Sequence, residues 1–180
     1  VPIISGDKEM IINESRKLYE EIKDEFRVKL DDRDDYTPGY KFYDWELKGV
    51  PLRIELGPRD IKNNVITVAR RDTFERITIQ RSEMLPRLKE ILNEIQRNLR
   101  ERAYKNMYSK IKEAKSIDDI KSNEDVNLIH WCGSKQCADI IDQESGKKVL
   151  GIPLNIEKKN GKCLICGKET DNLCYIGKPY

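Results

Sequence analysis

The sequence predicts a mixed α/β domain followed by a small α+β domain that a metal ion holds together. In the first hundred or so residues, about five short apolar stretches alternate with stretches whose apolar side chains recur at helical spacing. A helix between two strands usually leaves them parallel, so we expect a mostly parallel sheet of about five strands with helices on both faces. Towards the end of the chain, four of the five cysteines occur in two short loops, a pattern typical of metal sites.

Composition and charge narrow the class of protein. Charged residues make up 37% of the 180 residues, and the mean hydropathy is −0.72. No apolar run approaches the roughly 20 residues of a membrane-spanning helix, so we expect no membrane partner. The net charge of only +2 does not indicate nucleic-acid binding globally, although local basic patches remain compatible with it. The abrupt apolar start without Met predicts a C-terminal fragment, and the Cys-x-x-Cys pair without a signal peptide predicts a reducing cytoplasm.

The first domain is predicted to begin with a strand, a helix and a second strand. Residues 1–4 predict a buried strand, and an apolar stripe after the turn at 5–7 predicts a helix. Residues 26–30 alternate apolar and basic side chains and predict another strand. The acidic loop at 31–35 could mimic a Mg²⁺ site, but an acidic turn braced by Arg33 is favoured, because no glycine-rich phosphate loop accompanies it.

Residues 37–60 predict a helix and a strand joined by a tight turn. The helix at 40–48 follows Thr-Pro-Gly, and Gly-Val-Pro ends it. In the strand at 52–56, leucine and isoleucine alternate with Arg53 and Glu55, so the apolar side faces a core while the two charged side chains face a ligand or solvent.

The rest of the first domain completes the sheet and closes it with a long helix. Strands are predicted at 65–69 and 76–79, and a stripe of leucines and isoleucines predicts a helix from 82 to 111. Its second half is rich in Lys and Tyr, so the domains are predicted to span 1–102 and 103–180. Further elements are predicted as follows: a capping box at 116–119 with a short helix, a strand at 126–131, a helix at 135–144, a strand at 148–152 and a polar linker at 157–162.

The two cysteine loops predict a structural zinc site. Cys132 and Cys137 form one loop and Cys163 and Cys166 the other, and four thiolates in a tetrahedral array fit Zn²⁺ and leave no open position for water. A glycine follows the first and last of these cysteines, as tight metal-binding turns prefer. Free cysteines or a redox-active Cys-x-x-Cys are the alternatives.

Two further residues are weaker candidates as metal ligands. Cys174 could replace one of the four thiolates, but a lone cysteine in an apolar stretch is more typical of a core residue. His130, the only histidine, lies two residues before Cys132 and could supply a nitrogen, although a packed or surface role is favoured.

The turn, helix and strand at 37–60 carry the residues of a recognition surface. Phe42, Glu46, Arg53 and Arg59 combine a ring, a carboxylate and two guanidinium groups, which match the face, the N1–H/N2–H edge and the O6/N7 edge of guanine. The alternative for each is an ordinary solvated charge. Trp45, next to Glu46, is interpreted as a core residue that points the other way.

The run of residues 31–60 resembles, without gaps, the anticodon-binding domain of class II prolyl-tRNA synthetases of the archaeal and eukaryotic type. The resemblance implies the class IIa anticodon-binding fold, with tRNA(Pro) as partner and no DNA partner. The family positions that match Phe42, Glu46, Arg53 and Arg59 stack on or bond to the two adjacent guanines of proline anticodons, and Arg59 stands where members often carry Lys. The resemblance also implies RNA contacts by Arg71 and Arg76, in a turn whose length varies within the family.

The second half of the chain resembles the C-terminal zinc-binding domain of the same family. Cys132, Cys137, Cys163 and Cys166 fall where the four zinc-binding thiolates fall, and Tyr180 matches a terminal tyrosine whose carboxylate is directed towards the catalytic domain.

The resemblance also implies the properties of a longer enzyme. An upstream class II catalytic domain would activate proline with ATP and Mg²⁺ and transfer it to tRNA(Pro), as part of a cytoplasmic homodimer. No catalytic residue is assigned within these 180 residues. Two alternatives remain at this point: a free-standing RNA-binding accessory module with structural zinc, and a thiol oxidoreductase that uses Cys163 and Cys166.

Overall fold

The computed structural model describes residues 1–154 and 156–179 and divides into two compact units, Val1–Glu101 and Arg102–Tyr180. The helices are α1 (Lys8–Ile22), α2 (Pro38–Leu47), α3 (Pro58–Lys62), α4 (Met84–Ser109), α5 (Ile117–Ser122) and α6 (Lys135–Ser145). The strands are β1 (Leu52–Glu55), β2 (Val65–Arg70), β3 (Arg76–Gln80), β4 (Ile111–Glu113), β5 (Val126–His130), β6 (Lys148–Gly151), β7 (Gly161–Lys162), β8 (Glu169–Thr170) and β9 (Leu173–Gly177). No helix within these described ranges combines the length and apolarity needed to cross a bilayer.

In the first unit, β1, β2 and β3 form an antiparallel sheet in chain order. Ile54 lies opposite Val68, and Val68 lies opposite Ile77, so apolar residues of all three strands share one face. Helices α1 and α4 contribute apolar stripes to that same core, since their residues occur in one buried cluster with those of the sheet. The cluster comprises Leu18, Ile22, Leu56, Ile66, Val68, Ile79, Met84, Leu88, Ile91 and Ile95.

The mixed α/β class is confirmed, but the number and direction of the strands in the first unit differ from the prediction. Residues 1–4 make only a single parallel bridge, Pro2 with Leu56, and residues 26–30 adopt no strand although Phe26 and Val28 pack against the core. Short connections join the three strands that do form, and such connections leave neighbours antiparallel. The apolar alternation at 26–30 therefore reflects packed side chains and not pairing of the backbone.

The second unit is built on a four-stranded mixed sheet of order β4-β5-β9-β6. Strands β4 and β5 are parallel, and β9 pairs antiparallel with both β5 and β6. The predicted capping box is present at the start of α5, where Ser116 and Asp119 satisfy each other's backbone N–H groups, and Gly146 ends α6 in the left-handed conformation. The small core comprises Ala114, Ile120, Ile129, Ile141, Cys174 and Ile176.

Two predictions at the edges of elements are wrong. The long helix ends at Ser109 rather than at 111, and residues 111–113 form the short strand β4 beside β5. The linker at 157–162 includes β7, which pairs with β8 as a two-stranded hairpin. Strands of two or three residues are too short to show a period, so the sequence alone could not indicate them.

Candidate nucleic-acid interface and metal centre

Helix α2 is placed against the sheet by a cap at its start and a tight turn at its end. Oγ1 of Thr37 accepts a hydrogen bond from the backbone N–H of Tyr40 at 3.3 Å, and Pro38 occupies the first turn. At the other end, Gly49 takes a φ of +80°, which permits the backbone N–H of Val50 to bond the carbonyl oxygen of Trp45 at 3.0 Å. The chain thus reverses directly from α2 into β1.

Arg53 on β1 joins α2 to the sheet face opposite the core. Its Nη1 lies 2.8 Å from Oε1 of Glu46, its Nη2 lies 2.9 Å from Oε1 of Glu55, and its guanidinium carbon lies 4.0 Å from the centre of the Phe42 ring. A weaker contact of 3.5 Å links Nη1 to the Phe42 carbonyl oxygen. The structure therefore brings Phe42, Glu46 and Arg53 together in one cluster.

Glu55, which the sequence alone did not single out as a site residue, connects this cluster to β3. Its Oε2 lies 3.2 Å from Nε of Arg76, whose side chain is 56% exposed, while its other oxygen accepts from Arg53. The strand register explains the contact, because Arg53 and Arg76 both lie opposite Ala69 on β2. The alternation of charged residues along β1 was the only signal for Glu55.

The predicted alternation is right about the two faces of β1, but the charged face is largely covered. The side chains of Arg53 and Glu55 are only 9% and 11% exposed, because α2 packs over them through Phe42 and Glu46. Most of the polar surface that remains accessible belongs to Glu46, which is 26% exposed, and to Arg76.

Arg59 and Arg71 make no hydrogen bond or ion pair with the cluster within the described residues. Arg59 is an exposed residue of α3, and its neighbour Asp60 accepts a hydrogen bond from Thr67 on the same sheet face. Arg71 lines a cavity of about 10 Å³ together with Glu46 and Arg53, and its buried Nε has no hydrogen-bond partner among the described residues. No described contact joins Arg59 to the three clustered residues.

The acidic stretch before α2 is a braced turn, as the sequence favoured. Arg33 donates to both carboxylate oxygens of Asp31, at 2.8 and 2.7 Å, and also to Asp44 on α2. These hydrogen bonds, with another from Trp45, outweigh burial and hold the pKa of Asp31 well below its usual range. Trp45 is half-buried and outside the main cluster, with its Nε1 2.7 Å from Oδ2 of Asp31, so it is not the apolar core residue expected.

In the second unit, the thiols of Cys132, Cys137, Cys163 and Cys166 converge. All four sulfurs lie within 4.8 Å of one another, and the Sγ of Cys132 is 3.6 Å from that of Cys137 and 3.7 Å from that of Cys166. Zinc bonded to four sulfurs at about 2.3 Å requires sulfurs about 3.8 Å apart in a tetrahedron. The donor set and its spacing therefore fit a structural Zn²⁺ ion.

The loops around the thiols have the turns that such a site needs. Gly133 and Gly167 follow Cys132 and Cys166 and adopt φ values of +86° and +70°. Hydrogen bonds with Ser134 lower the pKa of Cys132, and backbone N–H groups of Cys166 and Ile165 outweigh burial and lower the pKa of Cys163. Both effects favour the thiolate, which is the form that binds metal, whereas burial and hydrogen bonds with the neighbouring thiols raise the pKa of Cys137 to about 12.

The two weaker candidates lie outside the four-sulfur cluster. Cys174 is fully buried in the core of the second unit, and burial raises the pKa of its thiol to about 12. Nε2 of His130 lies 2.9 Å from the carbonyl oxygen of Lys159. Its ring packs so closely on Gly161 that a side chain at that position would lie 2.5 Å from it. Tyr180 lies outside the described residues.

The sequence of this chain matches two known protein families. The family described as "Anticodon binding domain" matches residues 1–91, half of the chain. The chain belongs to this family. The family described as "Prolyl-tRNA synthetase, C-terminal" matches residues 112–180, so the anticodon binding domain is followed by a second module with a known counterpart.

Individual relatives agree with the family matches. Proline–tRNA ligase of Ignicoccus hospitalis is 40% identical over 189 aligned residues, which cover all of this chain and 39% of the relative. Proline–tRNA ligase of Pyrococcus abyssi is 38% identical over all of this chain and 39% of its own length, and that of Natranaerobius thermophilus is 36% identical over 96% of this chain and 36% of its own length. This anticodon binding domain and its second module span about two fifths of the curated relatives they match.

Proposed function

We propose that this chain binds the anticodon loop of tRNA(Pro) as part of a proline–tRNA ligase. The observation that carries the proposal is the carboxylate of Glu46, which Arg53 holds through one oxygen. The second oxygen receives no hydrogen bond within the described part of the chain. A fixed carboxylate at the edge of a covered cluster offers an acceptor to an unpaired base.

Guanine is the base that this arrangement suits best. Its N1–H and N2–H groups lie side by side and both donate, so a carboxylate can accept from both. Phe42 adds an aromatic ring for stacking, which Arg53 holds from one face at 4.0 Å. Arg53 itself is nearly buried, so its proposed role is mainly to hold Glu46 and Phe42 in position.

The basic residues of the surface would bind acceptor atoms of the RNA. Arg76 uses Nε for Glu55, so its two terminal nitrogens can reach O6 and N7 of guanine or a phosphate. Arg59 is exposed and Arg71 is half-buried, and neither has an ionic partner within residues 1–154 and 156–179. These three arginines supply the local positive charge that the net charge of +2 does not reveal.

The metal site and the longer relatives complete the proposal. Cys132, Cys137, Cys163 and Cys166 would hold one Zn²⁺, whose role is to stabilise the fold of the second unit. The parent enzyme would carry an upstream class II catalytic domain that uses ATP and Mg²⁺, and would act as a cytoplasmic homodimer. The matches to ligases more than twice as long as this chain support the longer parent enzyme.

Binding to stem–loops that carry a proline anticodon tests the proposal. We expect Glu46→Gln to weaken binding by about 5- to 150-fold, the equivalent of about 1–3 kcal/mol for one well-made base contact. Inosine, which lacks the N2 amino group, should weaken wild-type binding when it replaces the guanine that Glu46 contacts. It should have little further effect on Glu46→Gln, because the two changes remove the same contact.

The matched control is Glu83→Gln, which removes an exposed carboxylate of the same unit and should bind as the wild type does. Equal wild-type affinity for loops with and without the two guanines would refute the anticodon assignment. Additive effects of Glu46→Gln and every inosine replacement would instead show that Glu46 does not contact these bases.

A further inference from the structure

The turn between β2 and β3 presents a strained and exposed aromatic residue. Phe74 has a φ of +61°, a left-handed conformation that is unfavourable for a bulky side chain, and it is 71% exposed. A glycine or asparagine would adopt this backbone at lower cost. The fold therefore gains neither buried area nor a relaxed backbone from a phenylalanine at this position, which suggests a role outside the fold.

The backbone of this turn is held firmly in place. The N–H of Phe74 bonds the carbonyl oxygen of Arg70 at 2.9 Å, and the N–H of Arg70 bonds the carbonyl oxygen of Glu75 at 2.9 Å. Arg70 is itself buried and pairs with Asp72 and with Glu94 of α4, at 3.0 and 2.6 Å. The ring is thus carried by an anchored turn, so little conformational entropy is lost when a ligand contacts it.

The neighbours of Phe74 indicate the chemistry of that ligand. Arg71 and Arg76 flank the turn, and the latter is tied to the Arg53 cluster through Glu55. Glu75 is exposed, whereas the other acid of the turn, Asp72, is buried and neutralised by Arg70. An exposed ring with a half-buried arginine before it and an exposed arginine after it in the chain is a combination that suits single-stranded nucleic acid, in which the ring stacks on a base and the cations bind phosphates.

We propose that Phe74 stacks on an unpaired nucleobase of the RNA loop that binds beside it, next to the base that Glu46 would contact. This inference rests on the proposed function, because it takes the same RNA as the ligand. An aromatic ring can stack on any base, so Phe74 would add affinity for the RNA and orient it, whereas Glu46 would discriminate guanine from the other bases. Within the described residues, no ring or cation contact engages the Phe74 side chain in the free protein.

Substitutions at residue 74 separate a stacking role from a purely local one. In the full chain, Phe74→Gly should raise the midpoint of denaturant unfolding, because it relieves the left-handed strain, and should weaken stem–loop binding by about 5- to 150-fold. Phe74→Tyr should bind as the wild type does, since it keeps a ring. Phe74→Trp should also bind, and its additional fluorescence, measured against the wild type, should be quenched by the RNA.

Salt dependence supplies a second readout. Phe74→Gly should leave the slope of log K against log salt unchanged, because a ring releases no counterions, whereas Arg76→Gln should make that slope shallower. The inference would be overturned if Phe74→Gly bound the stem–loop with unchanged affinity, or if the added fluorescence of Phe74→Trp did not change when RNA binds.

The same experiment distinguishes this inference from the proposed function. If the wild type binds stem–loops with and without the two guanines equally, yet Phe74→Gly weakens that binding, the stacking inference is supported and the anticodon assignment is refuted. If guanine discrimination holds and Phe74→Gly binds normally, only the stacking inference fails. Absence of wild-type binding to any stem–loop would overturn both.

Discussion

At the scale of single residues, Arg53 determines the geometry of the candidate interface. It donates hydrogen bonds to two carboxylates and lies over one aromatic ring, so it fixes Glu46, Glu55 and Phe42 at once. The planar fork of a guanidinium group can make these contacts together, whereas the ammonium group of lysine is a single compact charge. A nearly buried residue therefore controls how the more exposed ones are presented.

We predict that Arg53→Lys disorders this cluster while preserving the charge. The free energy of unfolding should fall by about 1–3 kcal/mol, because hydrogen bonds to the partly buried carboxylates of Glu46 and Glu55 are lost. Binding to the stem–loop should weaken as well, because Glu46 and Phe42 are no longer held in position. Denaturant unfolding and RNA titration measure the two effects, and Arg16→Lys, at an exposed pair with Asp32, is the control that should change neither. If Arg53→Lys kept the wild-type free energy of unfolding and the wild-type affinity for the stem–loop, the role given to Arg53 would be wrong.

At the scale of elements, the β2–β3 hairpin is anchored to α4 by a buried ionic network. Arg70 lies between Asp72 and Glu94, and Asn98 of α4 donates to Oδ2 of Asp72 at 3.0 Å. The Arg70 guanidinium, with further help from Asn98, overcomes the effect of burial and holds the pKa of Asp72 at about 2, below its ordinary value of 3.8. The network thus couples the turn that carries Phe74 to the helix.

This network predicts loss of stability in acid. Because the folded-state pKa of Asp72 is lowered, its contribution is fully present above the unfolded pKa near 4 and is lost as pH falls through about 2. The contribution should be about 2 kcal/mol. Amide hydrogen exchange of the hairpin, corrected for the intrinsic effect of pH, should show protection falling between pH 4 and pH 2.

The variant Asp72→Asn should lose most of that pH dependence, because the titrating group is gone. Asp118→Asn, at a side chain that is 92% exposed, controls for the loss of a surface carboxylate. Hairpin protection that falls equally in Asp72→Asn and in the wild type would assign the acid effect to other groups.

At the scale of the whole molecule, the chain has two units that differ in what stabilises them. The unit Val1–Glu101 has an extended apolar core of sheet and helices. The unit Arg102–Tyr180 has a smaller core and a two-stranded hairpin of only two residues per strand, which presents Cys163 and Cys166. Small cores of this kind require an additional stabilising cross-link, which four thiolates and a zinc ion would provide.

We therefore predict that removal of zinc unfolds one unit and spares the other. A strong chelator, or Cys163→Ser, should abolish hydrogen-exchange protection in β5, α6 and β9 while protection in β2 and the first half of α4 persists. Cys174→Ala is the matched control, since it removes a buried thiol that lies outside the metal cluster and should keep its zinc. Full protection of the second unit without metal would refute the structural role of zinc.

Local signals in the sequence predicted local features well. The spacing of the cysteines and their glycines indicated the four-sulfur cluster, and the capping box at Ser116 is present as expected. The capping box and each of the two cysteine loops depend on neighbours within a few residues. Features that depend on distant partners were less predictable, because the spacing of apolar residues does not say which strand or side chain an element will meet. Residues 26–30 alternate like a strand yet pair with no other strand, and Trp45 donates a hydrogen bond to the carboxylate of Asp31.

The sequence by itself determined the α/β class, the faces of β1, the family, and the four thiols that could share a metal. These properties follow from local spacing and residue chemistry. Only the tertiary structure decided that the first sheet is antiparallel, that Arg53 is covered while Arg76 is exposed, and that Glu55 links the two. The physical reason is that exposure and ion pairing depend on which elements pack together. Arg53 on β1 is covered and paired because α2 packs over it in the folded domain.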